Sequence, residues 1–224
     1  INNWQKIFPH HEYDTNYGLT ETTGPGCVHL GIENTAKVGA IGVPGFDWEC
    51  RIVDYELQPL PQGEPGELEV RGPGVMREYY KNPEATAATL KDGWLLTGDI
   101  ARIDEDGFIW LVDRAKDIII TGGENIFPVE IESHIMGHPK VQDVGVIGLP
   151  DERLVEIVAA IIKAKPNQTL TEEEVTDFCK GLPRYKRPRK IIFGEVPRSP
   201  TGKIEKPKLR KTYTGISEKL RQSE

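Results

Sequence analysis

Cysteine is scarce in this chain: Cys27, Cys50 and Cys179 are all it has in 224 residues, and no two stand in a Cys-x-x-Cys spacing. That pattern predicts neither a disulfide framework nor a zinc site, and it suits a reducing cytoplasm. No cysteine has a strong claim to be a nucleophile. No apolar run is long enough to cross a bilayer, and no signal peptide opens the sequence. An excess of positive charge is missing too, because the formal net charge of −7 argues against general nucleic-acid binding. Internal repeats and low-complexity segments are absent. The first residue is Ile1 in place of Met and the pattern opens mid-motif, so the expectation is a piece of a longer protein.

What is present is an ordinary soluble composition, 38% hydrophobic and 28% charged. From Gly24 to about Gly74 short β-type runs alternate with Gly- and Pro-rich turns, which predicts a small, irregular, mostly antiparallel β-unit. Pro83 to Leu90 reads as a helix with Asn82 as its cap. Asp104-Glu105-Asp106-Gly107 reads as a hairpin turn between Ile100–Ile103 and Phe108–Val112. Further on, helices are predicted over Pro128–Met136, Thr171–Lys180 and Pro207–Tyr213, and strands over Val144–Leu149, Ile157–Ala164 and Ile191–Phe193. The expected fold is α+β: an irregular β-rich part over residues 1–115, then a compact domain over 116–224 with a short sheet flanked by helices.

Three short stretches could carry chemistry. The segment Trp94–Glu132 holds an acidic turn (Thr97-Gly98-Asp99), an Asp113-Arg114 pair and a Gly-rich turn (Thr121-Gly122-Gly123). A carboxylate accepts from both hydroxyls of a cis-diol and a guanidinium donates to nearby oxygens, so Asp99 and Arg114 could hold a ribose. Ordinary turn residues explain the spacing equally well. In Asn16-Tyr17-Gly18-Leu19-Thr20-Glu21 the ring could pack on a base, the hydroxyl meet a phosphate and the carboxylate hold a cation; a helix-capping turn is the bland alternative. In Ser199-Pro200-Thr201-Gly202-Lys203-Ile204 the Gly could let Lys203 project into a cleft, though it could be one surface lysine among many. Two basic runs, Arg184 to Lys190 and Lys203 to Lys211, read either as solvated surface or as sites for a phosphorylated ligand.

Taken in order, NYGLTE, GELEVRG, YYKNPEAT, WLLTGD, DRAKDIIITGGENIFPVEIE, LPRYKRP and SPTGKIEK resemble the adenylate-forming superfamily, from Asn16 to about Tyr213. Its members include acyl- and aryl-CoA synthetases and the adenylation domains of peptide synthetases. The resemblance implies that Tyr17 lies against adenine, that Gly18 is also nucleotide-binding, that Thr20 is near the α-phosphate of ATP, and that Glu21 is on Mg²⁺. It implies that Asp99 and Arg114 bind ribose, that Lys116 is the hinge about which the C-terminal domain swivels, and that Lys203 bridges the substrate carboxylate and the α-phosphate. It also implies that Gly122 and Gly123 run beside the pantetheine of CoA, with Arg184 and Lys186, next to Arg187, a place for CoA phosphates by charge and analogy.

Two departures from the family pattern stand out. Leu95 and Leu96 precede Thr97-Gly98-Asp99 where relatives often carry an aromatic or basic residue, and the Ser/Thr/Gly-rich phosphate loop ending in Pro-Lys-Gly is absent. The expectation is therefore the C-terminal portion of an ATP-dependent acid–CoA ligase. Its substrates would be a carboxylic acid, ATP and CoA, and its partner the N-terminal portion of the same enzyme. An adenylation domain that loads a carrier protein is one alternative, and a noncatalytic nucleotide- or CoA-binding module is another.

Overall fold

The computed structural model describes residues 6–10, 14–30 and 37–221. The chain divides into two compact units, Ile1–Ala115 and Lys116–Glu224. The architecture is α+β, with a β-rich first unit and a second unit whose sheet is covered by helices.

In the first unit, β1 (Thr15–Gly18), β2 (Pro25–His29) and β3 (Val43–Pro44) make a three-stranded antiparallel sheet. A second sheet holds β4 (Glu49–Val53), β5 (Gly66–Arg71), β6 (Leu90–Lys91), β7 (Trp94–Ile103) and β8 (Ile109–Arg114), with β7 paired to β5, β6 and β8. Alternation sends Leu68 and Val70 of β5 into a core with Ile52, Leu95, Ala101 and Ile109. Helix α1 (Pro83–Thr89) starts as its sequence dictates: Asn82 Oδ1 accepts from the Ala85 amide at 3.1 Å and Pro83 takes the first turn. Leu90 already has extended backbone, one residue earlier than the sequence pattern suggested. The Asp104–Gly107 turn is held by Asp104 Oδ1, which accepts from the amides of Asp106 (3.0 Å) and Phe108 (2.9 Å).

In the second unit, β9 (Ile119–Thr121) and β10 (Glu124–Ile126) form a hairpin through Gly122 and Gly123. Helix α2 (Pro128–Met136) follows, then the long antiparallel pair β11 (Val141–Asp151) and β12 (Val155–Ala164), helix α3 (Glu172–Phe178), strand β13 (Lys190–Phe193) and helix α4 (Lys206–Arg221). The sheet order is β10-β9-β12-β11, and β13 lies parallel to β12. Strands β11 and β12 are apolar on both faces, which is why their sequence reads as near-continuous hydrophobic runs. Val144, Val146, Val158, Ala160 and Ile162 point to one side, with Ile131 and Ile135 of α2 and Val175 of α3. Ile147, Leu149, Ala159 and Ile161 point to the other, with Leu209 of α4. Helix α4 comes so close to the sheet that a β-carbon on Gly145 would lie 2.7 Å from Leu209 Cδ1.

Several boundaries differ from the sequence expectation, each for a local reason. The helix expected over Thr171–Lys180 is α3 alone. Thr171 Oγ1 accepts from the Glu174 amide at 3.2 Å and Glu174 Oε2 from the Thr171 amide at 3.0 Å, and Cys179–Gly181 then tightens into a 3₁₀ turn. The helix expected over Pro207–Tyr213 begins at Lys206 and runs to Arg221, because beyond Tyr213 no proline interrupts it and the single Gly215 costs only about 1 kcal/mol. Strands β11 and β12 extend past their apolar centres, since ladder bonds continue through Asp151 and Val155.

Candidate nucleotide-binding and catalytic residues

The Thr97-Gly98-Asp99 stretch is not a turn between strands, as its composition suggested. It is a bulge inside β7. Glu67 of β5 faces Ile100 and Glu69 faces Leu96, so three residues of β7 stand opposite Leu68 alone. Gly98, at φ +71°, supplies the left-handed step that the bulge needs. Three hydrogen bonds hold the irregularity. Thr97 Oγ1 donates to Leu68 O at 2.7 Å and accepts from the Asp99 amide at 3.2 Å, and Glu67 Oε1 accepts from the Gly98 amide at 3.1 Å.

The bulge aims Asp99, which is 4% exposed, at two partners. Arg114 is its cross-strand neighbour on β8, and Arg114 Nε lies 2.7 Å from Asp99 Oδ1. Tyr17 of β1 donates its hydroxyl to Asp99 Oδ2 at 2.6 Å. Burial, reinforced by that carboxylate, pushes the Tyr17 hydroxyl far above its ordinary pKa, so it stays a protonated donor. Each carboxylate oxygen accepts through two lone pairs, so Asp99 keeps acceptor capacity for a diol after both contacts.

Asn16, Tyr17 and Gly18 lie in strand β1, and a 3₁₀ turn over Thr20–Thr22 follows. Gly18 is required there, since a β-carbon would lie 2.4 Å from Gly24 O. Thr22 is buried and ties the turn, accepting from the Leu19 amide at 2.8 Å. Thr20 is exposed and, with Gly18, Thr23 and Gly24, lines an open cleft of about 520 Å³. Glu21 is half-buried and receives the Tyr79 hydroxyl on Oε1 at 2.7 Å. Tyr79 was missed as a site residue; only its place in YYKNPEAT signalled it. Among the described residues no cluster of three or more His, Cys, Asp or Glu could hold a metal. A lone carboxylate of this kind fits Mg²⁺, which takes one or two carboxylates and fills its shell with phosphate and water oxygens.

In the second unit, Lys116 is exposed within a 3₁₀ turn over Ala115–Asp117, and Arg210 Nη2 donates to Asp117 Oδ1 at 2.8 Å. Gly122 and Gly123 have φ +60° and +90°, the positive pair that a type I′ hairpin turn demands. The basic run Arg184–Lys190 is partly committed elsewhere. Lys186 Nζ lies 2.8 and 2.6 Å from the two oxygens of Glu130, and Arg187 donates to Leu182 O and Lys180 O, both at 2.8 Å. Arg184 is exposed. The later run is partly committed as well. Buried Lys206 reaches Glu132 Oε1 at 3.1 Å, Lys208 reaches Glu205 Oε2 at 2.6 Å, and Arg210 holds Asp117. Lys203 is exposed at the end of the Ser199–Gly202 turn, where Gly202 has φ +83°.

Two family models match the chain: the AMP-binding enzyme over residues 1–80 and the AMP-binding enzyme C-terminal domain over residues 130–203. The chain belongs to the adenylate-forming, AMP-binding enzyme family. Among the family's members, the long-chain-fatty-acid–CoA ligase FadD13 of Mycobacterium tuberculosis is 42% identical over 200 residues, covering 88% of this chain and 39% of its own length. The ATP-bound structure of MatB from Rhodopseudomonas palustris matches at 36% identity with a TM-score of 0.85, over 92% of this chain and 41% of that one. The o-succinylbenzoate CoA synthetase MenE of Bacillus subtilis, solved with the acyl-adenylate OSB-AMP, matches at 33% identity and TM-score 0.82, over 93% and 43%. The chain thus spans about two fifths of the length of these relatives. No helix among the described residues is long and apolar enough to cross a membrane.

Proposed function

We propose that this chain is the C-terminal part of an ATP-dependent acid–CoA ligase that makes an acyl-adenylate and passes the acyl group to CoA. The observation that carries the reading is Asp99: a nearly buried carboxylate turned out by a glycine bulge and gripped by Tyr17 and Arg114. Such a group suits the two hydroxyls of a ribose, and a structural ion pair would not need the bulge. Tyr17 and Gly18 would then border adenine, and Thr20 the α-phosphate. FadD13 and MenE are both CoA ligases, which favours CoA over a carrier protein as acceptor.

In the first step a carboxylate oxygen of the acid attacks the α-phosphorus of ATP, the bond to the β-phosphate bridge breaks, and pyrophosphate leaves. Lys203 offsets the negative charge that gathers on the phosphoryl oxygens. Glu21, steadied by Tyr79, would hold Mg²⁺, whose charge screens the phosphates. In the second step the CoA sulfur attacks the acyl carbonyl and AMP leaves. The second unit, residues 116–224, would turn about Lys116 between the steps and bring Gly122 and Gly123 to the pantetheine arm, a hinge motion absorbed by few torsions. Arg184 is the better of the two basic candidates for a CoA phosphate, since Lys186 is bound to Glu130. We take the reaction to be cytoplasmic, where ATP and CoA are supplied and the free thiols stay reduced.

The test is a panel of fatty and aromatic acids offered to the full-length enzyme, with pyrophosphate release followed with and without CoA. Acid-dependent release and thioester formation support the reading. Release that never leads to a thioester would point to a carrier-loading enzyme, and no release with any acid would overturn it. This chain on its own is expected to form no thioester.

A further inference from the structure

Lys203 itself lies in neither a strand nor a helix. It ends a turn between buried Val196 and buried Lys206. A lysine is a point charge on a flexible four-carbon stem, so its usefulness at a reacting centre depends on how firmly its backbone is aimed. Here the aim is set by Arg198. Its planar fork meets Asp143 of β11, with Nε 2.8 Å from Oδ2 and Nη2 2.6 Å from Oδ1. The remaining nitrogen, Nη1, donates to the carbonyl of Gly202 at 2.5 Å, one residue before Lys203.

The far side of the turn is closed by Ser199, whose amide donates to Lys203 O at 2.8 Å and whose Oγ accepts from the Lys203 amide at 3.2 Å. Asp143 is itself fixed. Its Oδ1 accepts from the Val144 amide at 2.9 Å, at the point where the β11–β12 register slips between Val141 and Asp143. The Arg198 guanidinium, more than any other neighbour, holds the Asp143 carboxyl below its ordinary pKa.

We infer that Arg198 is a positioning residue for adenylation: clamped on Asp143, it fixes the Gly202 carbonyl and so the direction in which Lys203 leaves the backbone. The inference rests on the reading of Lys203 as the adenylation lysine. With side chains 42% and 17% exposed, the Arg198–Asp143 pair contributes little to folding. Its three directed bonds contribute geometry, which a lysine at 198 could not reproduce because it lacks the fork.

The experiment compares Arg198→Gln, Arg198→Lys and Lys203→Ala in the full-length enzyme. It measures pyrophosphate release without CoA, thioester formation from supplied acyl-adenylate, and melting temperature; amide exchange at Gly202 and Lys203 is measured on this chain. Both Arg198 variants should lose roughly 10- to 100-fold in adenylation kcat, the scale of a small misplacement, while CoA transfer stays within about twofold. Melting should move by no more than about 2 °C, and the two amides should exchange faster. Full adenylation in Arg198→Gln, with none in Lys203→Ala, would sink the positioning role and leave the function standing. Full adenylation in Lys203→Ala would overturn the reading on which it rests. Equal loss of both half-reactions, or a large fall in melting temperature, would make Arg198 a structural residue and nothing more.

Discussion

The Tyr17 hydroxyl lies 2.6 Å from Oδ2 of Asp99, so the residue proposed to meet the base and the residue proposed to meet the ribose are bonded to each other within one unit. Because Arg114 takes Oδ1, the carboxylate is oriented before any nucleotide arrives. Orientation in advance lowers the entropy cost of binding.

Tyr17→Phe keeps the ring and removes the donor. It leaves Oδ2 of a nearly buried carboxylate short of a partner, at a cost of about 1–3 kcal/mol in folding. In the full-length enzyme KM for ATP should rise more than kcat falls. The sign with pH also follows. The Tyr17 pKa is raised above its ordinary value of 10.0, so its stabilisation is complete below that pH and is lost as pH climbs toward the folded value. Denaturation of this chain at pH 9 and pH 11 should show the wild type losing more stability than Tyr17→Phe. Equal losses would count against the hydrogen bond.

Tyr79→Phe tests the other fixed carboxylate. Without the hydroxyl at 2.7 Å, Glu21 gains rotamer freedom that a cation must then remove. The Mg²⁺ concentration for half-maximal adenylation should rise by roughly two- to tenfold, equivalent to about 0.4–1.4 kcal/mol. KM for the acid should hardly move. An unchanged Mg²⁺ dependence would separate Tyr79 from the metal.

Lys116→Pro addresses the hinge. A proline accepts the φ of a 3₁₀ turn but confines it near −65°, so the folded turn should survive while the swivel is restricted. One half-reaction should fall much further than the other, with little change in melting temperature. If adenylation, thioester formation and the overall rate were all unaffected, Lys116 would not be the pivot.

Much of this was legible in the sequence because the determinants are local. Asn82 before Pro83, Thr171 before three glutamates, and the two-sided apolar runs of β11 and β12 each dictate their own structure. The bulge at Gly98 was not legible. Its composition is that of a turn, and only the β5 register shows that three residues of β7 stand opposite one. The pairings Tyr17–Asp99, Tyr79–Glu21 and Arg198–Asp143 span 82, 58 and 55 residues of sequence, a distance at which spacing carries no signal. Charge runs were ambiguous for the same reason. Lys186, Lys206 and Arg210 look like a surface for phosphates until their partners Glu130, Glu132 and Asp117 are seen.

Val155 gives a prediction that no contact would suggest. It opens β12 at φ +72°, a left-handed conformation that crowds a β-branched side chain, and its side chain is 65% exposed. The strain costs about 1–3 kcal/mol and little burial offsets it. Glycine at this position would relieve the strain but would lose about 0.5–1 kcal/mol to its freer unfolded chain. Val155→Gly should therefore stabilise the chain by roughly 1 kcal/mol, read as a higher denaturant midpoint at unchanged slope. Val155→Ala keeps a β-carbon at positive φ and should recover less of it. Gly145→Ala is the opposite case, since its β-carbon would press on Leu209 at 2.7 Å and should lower the midpoint. If Val155→Gly destabilised the chain as Gly145→Ala does, the left-handed backbone at Val155 would not be a source of strain.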